Sequence, residues 1–191
     1  ALRRRAKAAA EQAEAAEAPL RREREAEAAA AAALRNPKWT DRGGPGADIS
    51  PDGRTTSKST SSGYSTAGGE RLPMCGAVSL TTAGNRSGEL TVGLAAAEKD
   101  VSRGGDIYDD PDTWMIYCHD GRMYVGDKII PGTGEIESQQ IITIEWDQQG
   151  VSFLVDGVRR GEKHAWGSTP PTGVRVVTCM GSEGSSASFV V

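Results

Sequence analysis

Aromatic side chains are scarce in this 191-residue sequence: Phe, Trp and Tyr make up 5% of it, as two Phe, four Trp and four Tyr. A lectin-like surface, on which sugars stack against aromatic planes, has little material to draw on. Cysteine is scarcer still. Cys75, Cys118 and Cys179 are odd in number and widely spaced, which suits neither a disulfide framework nor a zinc site, since both need paired or closely spaced ligands. Buried, reduced thiols in a reducing compartment such as the cytoplasm are expected. No apolar run approaches the roughly 20 residues that cross a bilayer as a helix. Positive charge is not in excess, with 22 Lys+Arg against 26 Asp+Glu and a net charge of −4. Neutralising phosphates takes clustered Lys and Arg, so the composition argues against a nucleic-acid partner. Neither His119 nor His164 has a nucleophile or carboxylate at a revealing spacing, and no general base is assigned.

What is present divides unevenly along the chain. Residues 1–35 hold sixteen Ala, eight Lys+Arg and six Glu, with only Leu2, Leu20 and Leu34 as large apolar side chains. Ala, Arg, Lys and Glu are strong helix formers, so residues 1–36 are expected to be a charged, Ala-rich helical extension. Pro19 lacks the backbone donor and clashes with the preceding turn, so a break is expected there; Asn36-Pro37 ends the second piece. With no heptad of large apolar residues, a self-sufficient coiled coil is not expected. The chain opens on Ala1 rather than Met, as a trimmed or mature chain does. Residues 1–10 are Arg-rich and free of acids, so organelle targeting is an alternative to a cytoplasmic location.

Gly43-Gly44-Pro45-Gly46 reads as a connection, giving a linker over 37–46, and residues 57–69 read as a loop or exposed edge strand. Trp39, beside that linker, is expected to dock back on its own domain.

The clearest local pattern runs from Ile141 to Gly157. Ile142, Ile144 and Trp146 share one face of an alternating run, and Val151, Phe153 and Val155 share one face of the next. Period-two alternation is the mark of a half-buried strand, and Asp147 to Gly150 between the runs makes a β-hairpin. Asp156-Gly157 starts a second turn, because Gly takes positive φ freely and Asp tolerates it. Further strands are expected over 75–81, 90–95, 113–118, 122–125, 174–179 and 187–191. Short strands with regular Gly and Asp turns predict an all-β fold, a β-sandwich over 47–191.

Thr91-Val92-Gly93-Leu94, Trp114, the strand ending Ile144-Glu145-Trp146-Asp147, Gly150, and Ser152-Phe153-Leu154-Val155-Asp156-Gly157 follow one another in the order of the landmarks of SPRY domains, which the chain resembles from about residue 47 and most firmly from 90 onward. Asp156 stands where that family usually has Asn. The resemblance implies a bent, antiparallel, concanavalin-like β-sandwich of jelly-roll type. It also implies a non-catalytic protein-interaction module that recognises its partner through loops. The same architecture serves glucanases, whose retaining members need two carboxyl groups about 5 Å apart. Glu135-Ile136-Glu137-Ser138-Gln139-Gln140 is the nearest approach to their motif, and it has Gln where the second carboxylate belongs.

Tyr64, Tyr108 and Trp166 fall in predicted loops and, with Arg103, Asp109 and Asp110, form the expected partner-binding set, since exposed aromatics and Arg dominate binding hot spots. Trp114, Tyr117, Trp146 and Phe153 are expected in the core. Asp106, Asp109, Asp110 and Asp112 lack the spacing of a calcium loop; an acidic interaction loop that selects a basic partner is expected instead. No cofactor or metal is expected. The function read from these features is a scaffold or structural subunit of a multiprotein complex, such as a cytoskeletal or ciliary one. The helix would tether the chain and the sandwich loops would contact a second protein. A carbohydrate-binding, lectin-like module is the alternative.

Overall fold

The computed structural model describes residues 18–19, 21–22, 24–25, 28–29, 31–84, 89–126, 128–167 and 170–190. Among the described residues fourteen strands follow in order: β1 Trp39–Gly43, β2 Ala47–Ile49, β3 Thr55–Lys58, β4 Ser65–Leu72, β5 Gly76–Ala83, β6 Leu90–Ala96, β7 Thr113–Tyr117, β8 Met123–Val125, β9 Lys128–Ile130, β10 Ile141–Asp147, β11 Gly150–Val155, β12 Val158–Ala165, β13 Val174–Met180 and β14 Ser186–Phe189. They form two seven-stranded sheets, ordered β1-β4-β13-β6-β7-β8-β9 and β12-β11-β10-β5-β14-β3-β2. Neighbours in both sheets run antiparallel.

The β10–β11 hairpin forms as its alternation predicts, with Ile142 opposite Val155, Ile144 opposite Phe153 and Trp146 opposite Val151. Asp147 Oδ1 accepts the backbone N–H of Gln149 at 2.8 Å, which sets the turn. Asp156 (φ 49°) and Gly157 (φ 77°) are the two-residue loop into β12, where a tight hairpin needs positive φ at both positions. The core lies between the sheets. Leu90, Val92, Leu94, Trp114, Ile116 and Val176 come from the first sheet, and Val78, Leu80, Ile142, Ile144, Phe153 and Ala187 from the second.

Three stretches differ from expectation. The sandwich starts at Trp39, not at 47: β1 pairs with β4, leaving only Gly44 to Gly46 as the turn of the expected linker. Trp39 docks back, its ring stacked 4.7 Å from Phe189. Ser65 to Gly69, expected as loop or exposed edge, is the buried part of β4, which lies between β1 and β13. Its small side chains serve close approach, since a Cβ on Gly68 would sit 2.9 Å from Val101 Cγ2 and from the Arg175 guanidinium. Strand β12, Val-Arg-Arg-Gly-Glu-Lys-His-Ala, was not expected because its side chains are mostly charged and exposed. It is the edge of its sheet, where charge discourages pairing with another chain.

At the N-terminal end the described residues among 18–35 are helical, Ala18 and Pro19 included. The expected helix before Pro19 lies outside the described residues. The helix ends at Arg35, before Asn36-Pro37, and its last turn rests on the sandwich: Ala33 and Leu34 pack on the core, and Leu34 lies against Gly76 beside Trp146. Arg54 donates to Asn36 Oδ1 at 2.7 Å beside this contact.

Candidate functional site

Strand alternation sends one set of side chains from the first sheet into the core and the next set to its outer face. In β7, Trp114 and Ile116 join the core while Met115 belongs to a separate cluster, with Ala95, Val101, Ile107, Val177 and Cys179. That second cluster closes when residues 97–112 fold over the sheet as a long loop. The loop is fastened along its length. Thr66 Oγ1 donates to Val101 O at 2.6 Å, Ala97 N donates to Gly173 O at 3.0 Å, and Lys99 pairs with Asp110. Thr113 Oγ1 donates to Asp110 O at 2.8 Å. A Cβ on Gly43 would lie 1.9 Å from Val101 O, so the loop sits directly on β1.

At the edge of this covered region the four tyrosines of the chain converge. Tyr64 meets Tyr108 edge-on with centroids 6.3 Å apart, Tyr108 leans on Tyr124 at 4.8 Å, and Tyr117 lies 6.0 Å from the His119 ring. Arg122 carries its guanidinium 5.3 Å above the Tyr117 ring and is forked onto Asp120, with Nε donating to Oδ2 at 2.7 Å. Glu89, Thr91, Tyr108, Tyr117, His119, Arg122 and Tyr124 line a cup of about 250 Å³. All four Trp and both Phe are buried, as is Tyr124, while Tyr64, Tyr108 and Tyr117 are half-buried. Tyrosine, with a ring to pack and a hydroxyl to hydrate, suits the boundary that Trp and Phe avoid here.

Electrostatics follow from partial burial and from charges close together. Burial, then hydrogen bonding to Glu89 and Tyr108, holds the Tyr64 phenol well above its usual range. Burial pushes Tyr108 up to about 12, and burial and the Glu89 charge raise Tyr117. Asp106 is raised by burial, with repulsion from Asp109 and Glu89 adding to it. Hydrogen bonding from Arg122 holds Asp120 low. Cys75, expected to be buried, is exposed; burial pushes the Cys118 and Cys179 thiols up to about 12, and a protonated buried thiol is neither nucleophile nor metal ligand. Among the described residues no three His, Cys, Asp or Glu side chains converge to hold a metal ion. The chemistry on offer is contact chemistry: phenol hydroxyls, ring faces and carboxylates that have no ion-pair partner among the described residues.

Of the expected contact residues, Tyr64 and Tyr108 touch each other at this site. Arg103 and Asp109 are exposed on the 97–112 loop, Arg103 loosely paired with Asp100 at 3.6 Å. Asp110 is turned away to Lys99. Trp166 does not join them. Because β12 runs as a strand to Ala165, Trp166 folds back over the end of the sandwich, buried edge-on against Trp114 at 4.7 Å, with Nε1 donating to Asp147 O at 2.7 Å. Tyr117, expected in the core, is half-buried on the opposite face from Trp114. Glu89, Tyr117, Arg122 and Tyr124 were missed; parity with the inward Trp114 and Ile116 was the signal that could have placed Tyr117 outward.

No family model matches the sequence, and no curated protein sequence matches it. Solved structures do. The SPRY domain of human HERC1 superposes with a TM-score of 0.59 at 12% identity, over 82% of this chain and 94% of that one. A second human SPRY domain gives 0.58 at 18% identity, over 75% and 94%. The TRIM65 PSpry domain gives 0.64 at 10% identity, over 91% and 95%. The fold is therefore that of SPRY domains, an antiparallel β-sandwich. Among the described residues no helix is long and apolar enough to cross a membrane.

Proposed function

We propose that this SPRY-fold chain is a non-catalytic protein-interaction module that meets its partner with the outer face of the first sheet. The contact surface comprises the tyrosine cup and the adjoining exposed residues of the 97–112 loop: Tyr64, Tyr108, Tyr117, Arg122 and Tyr124 with Arg103 and Asp109. Asp110 acts here by anchoring the loop through Lys99 rather than by touching the partner. One observation carries the reading: a chain poor in aromatics gathers all four tyrosines at one outer face, Tyr124 buried beneath the other three, while every Trp and Phe is inside. Rigidly held loops are where such modules keep recognition, and the 97–112 loop is tied down from both ends. A two-ended chain of this kind, with a helix at one end and a contact face at the other, suits a scaffold subunit in a cytoplasmic assembly of cytoskeletal or ciliary type.

A sugar-binding surface is disfavoured because the tyrosine rings tilt into one another and Arg122 covers a face of Tyr117, so among the described residues they offer no broad, flat aromatic platform for a sugar ring. The test is affinity capture from native extract with the full chain, an outer-face variant (Arg103→Glu with Tyr117→Ala) and a distant control (Val158→Asp on β12). Partners lost from the outer-face variant and kept by the control are expected. Partners kept by both variants, but lost when residues 1–38 are removed, would move recognition to the helix.

A further inference from the structure

The cup has a size, a lining and a charge that narrow what it receives. At about 250 Å³ it falls below the roughly 300–1,000 Å³ of pockets that enclose whole small-molecule ligands, so it fits the end of one side chain. Its walls are three tyrosines, His119, Thr91, Glu89 and Arg122, the last tied down by Asp120. Among the described residues, Glu89, Asp106, Asp109 and Asp120 stand in or around it against two cations, Arg122 in its lining and Lys58 behind it. Asp120 is spent on Arg122, and Lys58 is buried with its ammonium turned to the Gly63 and Gly181 carbonyls, at 2.9 Å from the second. Among the described residues Glu89, Asp106 and Asp109 have no ion-pair partner.

We propose that the cup is a receptor for a cationic side chain, a lysine ammonium or an arginine guanidinium, presented by the protein partner. The proposal rests on the interaction reading above and names the chemistry of its central contact. A cation placed among Tyr108, Tyr124 and Glu89 meets ring faces, which attract it through their quadrupoles, and a carboxylate at the rim. Arg122 already uses Tyr117 in this way from within the chain. Arg122 also hydrogen-bonds Tyr124, and among the described residues no cation stacks on the Tyr108 ring. An anion would meet Glu89 and Asp106 instead and be repelled, and a neutral apolar group would give Glu89 and Asp106, which among the described residues accept only from the Tyr64 and Tyr108 phenols, no counter-ion.

The experiment uses the full chain with ring-labelled tyrosine, whose four residues give a small set of NMR signals. It is titrated with the methylamides of N-acetyl-lysine, N-acetyl-arginine, N-acetyl-norleucine and N-acetyl-glutamate. The lysine and arginine probes are expected to shift Tyr108 and Tyr124 saturably, with affinity falling as salt rises. Glu89→Gln, a surface change that leaves the fold intact, is expected to weaken them about tenfold, equivalent to ~1.4 kcal/mol, while Asp48→Asn on β2 changes nothing. Equal shifts from norleucine or glutamate, no shift from either cation, or indifference to Glu89→Gln overturns the proposal. If the outer-face variant still loses its partners in extract while no cation binds, the interaction reading stands and this one falls.

Discussion

Two tryptophans offer a matched test of what a buried hydrogen bond contributes to this fold. Trp39 and Trp146 are 2% and 3% exposed, both in the main core, so replacing either with Phe removes a similar amount of buried ring. Their indole N–H groups differ. Trp146 Nε1 donates to Pro73 O at 2.8 Å, whereas Trp39 Nε1 is buried without a partner. Leaving a buried donor unsatisfied costs about 1–3 kcal/mol, and Trp39→Phe abolishes that cost, which offsets the loss of packing. Trp146→Phe instead forfeits a bond with a net worth of about 0.5–1.5 kcal/mol on top of the same packing loss. Trp146→Phe should therefore be the more damaging by about 2–4 kcal/mol, with Trp39→Phe within about 1 kcal/mol of the parent. Denaturant midpoints at constant slope measure the difference directly. Trp39→Ala, which empties the site, should still cost about 3–5 kcal/mol. Equal losses for the two Phe variants would refute the reasoning, because they would mean that the Trp39 N–H is as well satisfied as that of Trp146.

Thr66→Val keeps the shape of the side chain but removes the buried bond to Val101 O; amide exchange across 101–108 should accelerate while β10 amides hold, and uniform acceleration would deny the loop its independent anchor. His164 is buried with Nε2 3.3 Å from Met123 Sδ, and burial lowers its pKa below 6.5. Its contribution is then fully present above pH 6.5 and is lost as pH falls through the folded value. Thermal midpoints of His164→Gln should depend less on pH than those of the parent between about pH 7.5 and 5, and parallel curves would exclude His164 as the source. Gly76→Ala would put a Cβ 2.9 Å from the Leu34 methyl carbons. Proteolysis before residue 36 should accelerate with the sandwich intact; an unchanged cleavage rate would show that Leu34 is not what holds the helix.

From Leu90 onward the fold was largely legible because large apolar residues alternate there: Leu90, Val92 and Leu94, then Ile142, Ile144 and Trp146, point to one side by parity alone. The earlier strands were not. Ser65-Thr66-Ala67-Gly68-Gly69 looks like a loop because nothing local shows that Val101 will press on it from across the chain. β12 was hidden by charges that an edge strand carries on purpose. Half of the proposed contact face was legible for a related reason. Tyr64 and Tyr108 lie in loops and stood out as exposed aromatics, whereas Tyr117 and Tyr124 lie in strands and were indistinguishable from core until the register was known. Trp166 misled because the strand leading to it was missed.

The division of aromatics between inside and outside gives the molecule two optical channels. Red-edge excitation, which reaches only indole, reports Trp39, Trp114, Trp146 and Trp166, all packed within the sandwich, and so follows unfolding. Phenol signals, from ultraviolet resonance Raman or ring NMR, come entirely from the face where a partner would land. Occupancy of that face can be watched without a label while the indole emission stays still, and any ligand that moves both has done more than dock.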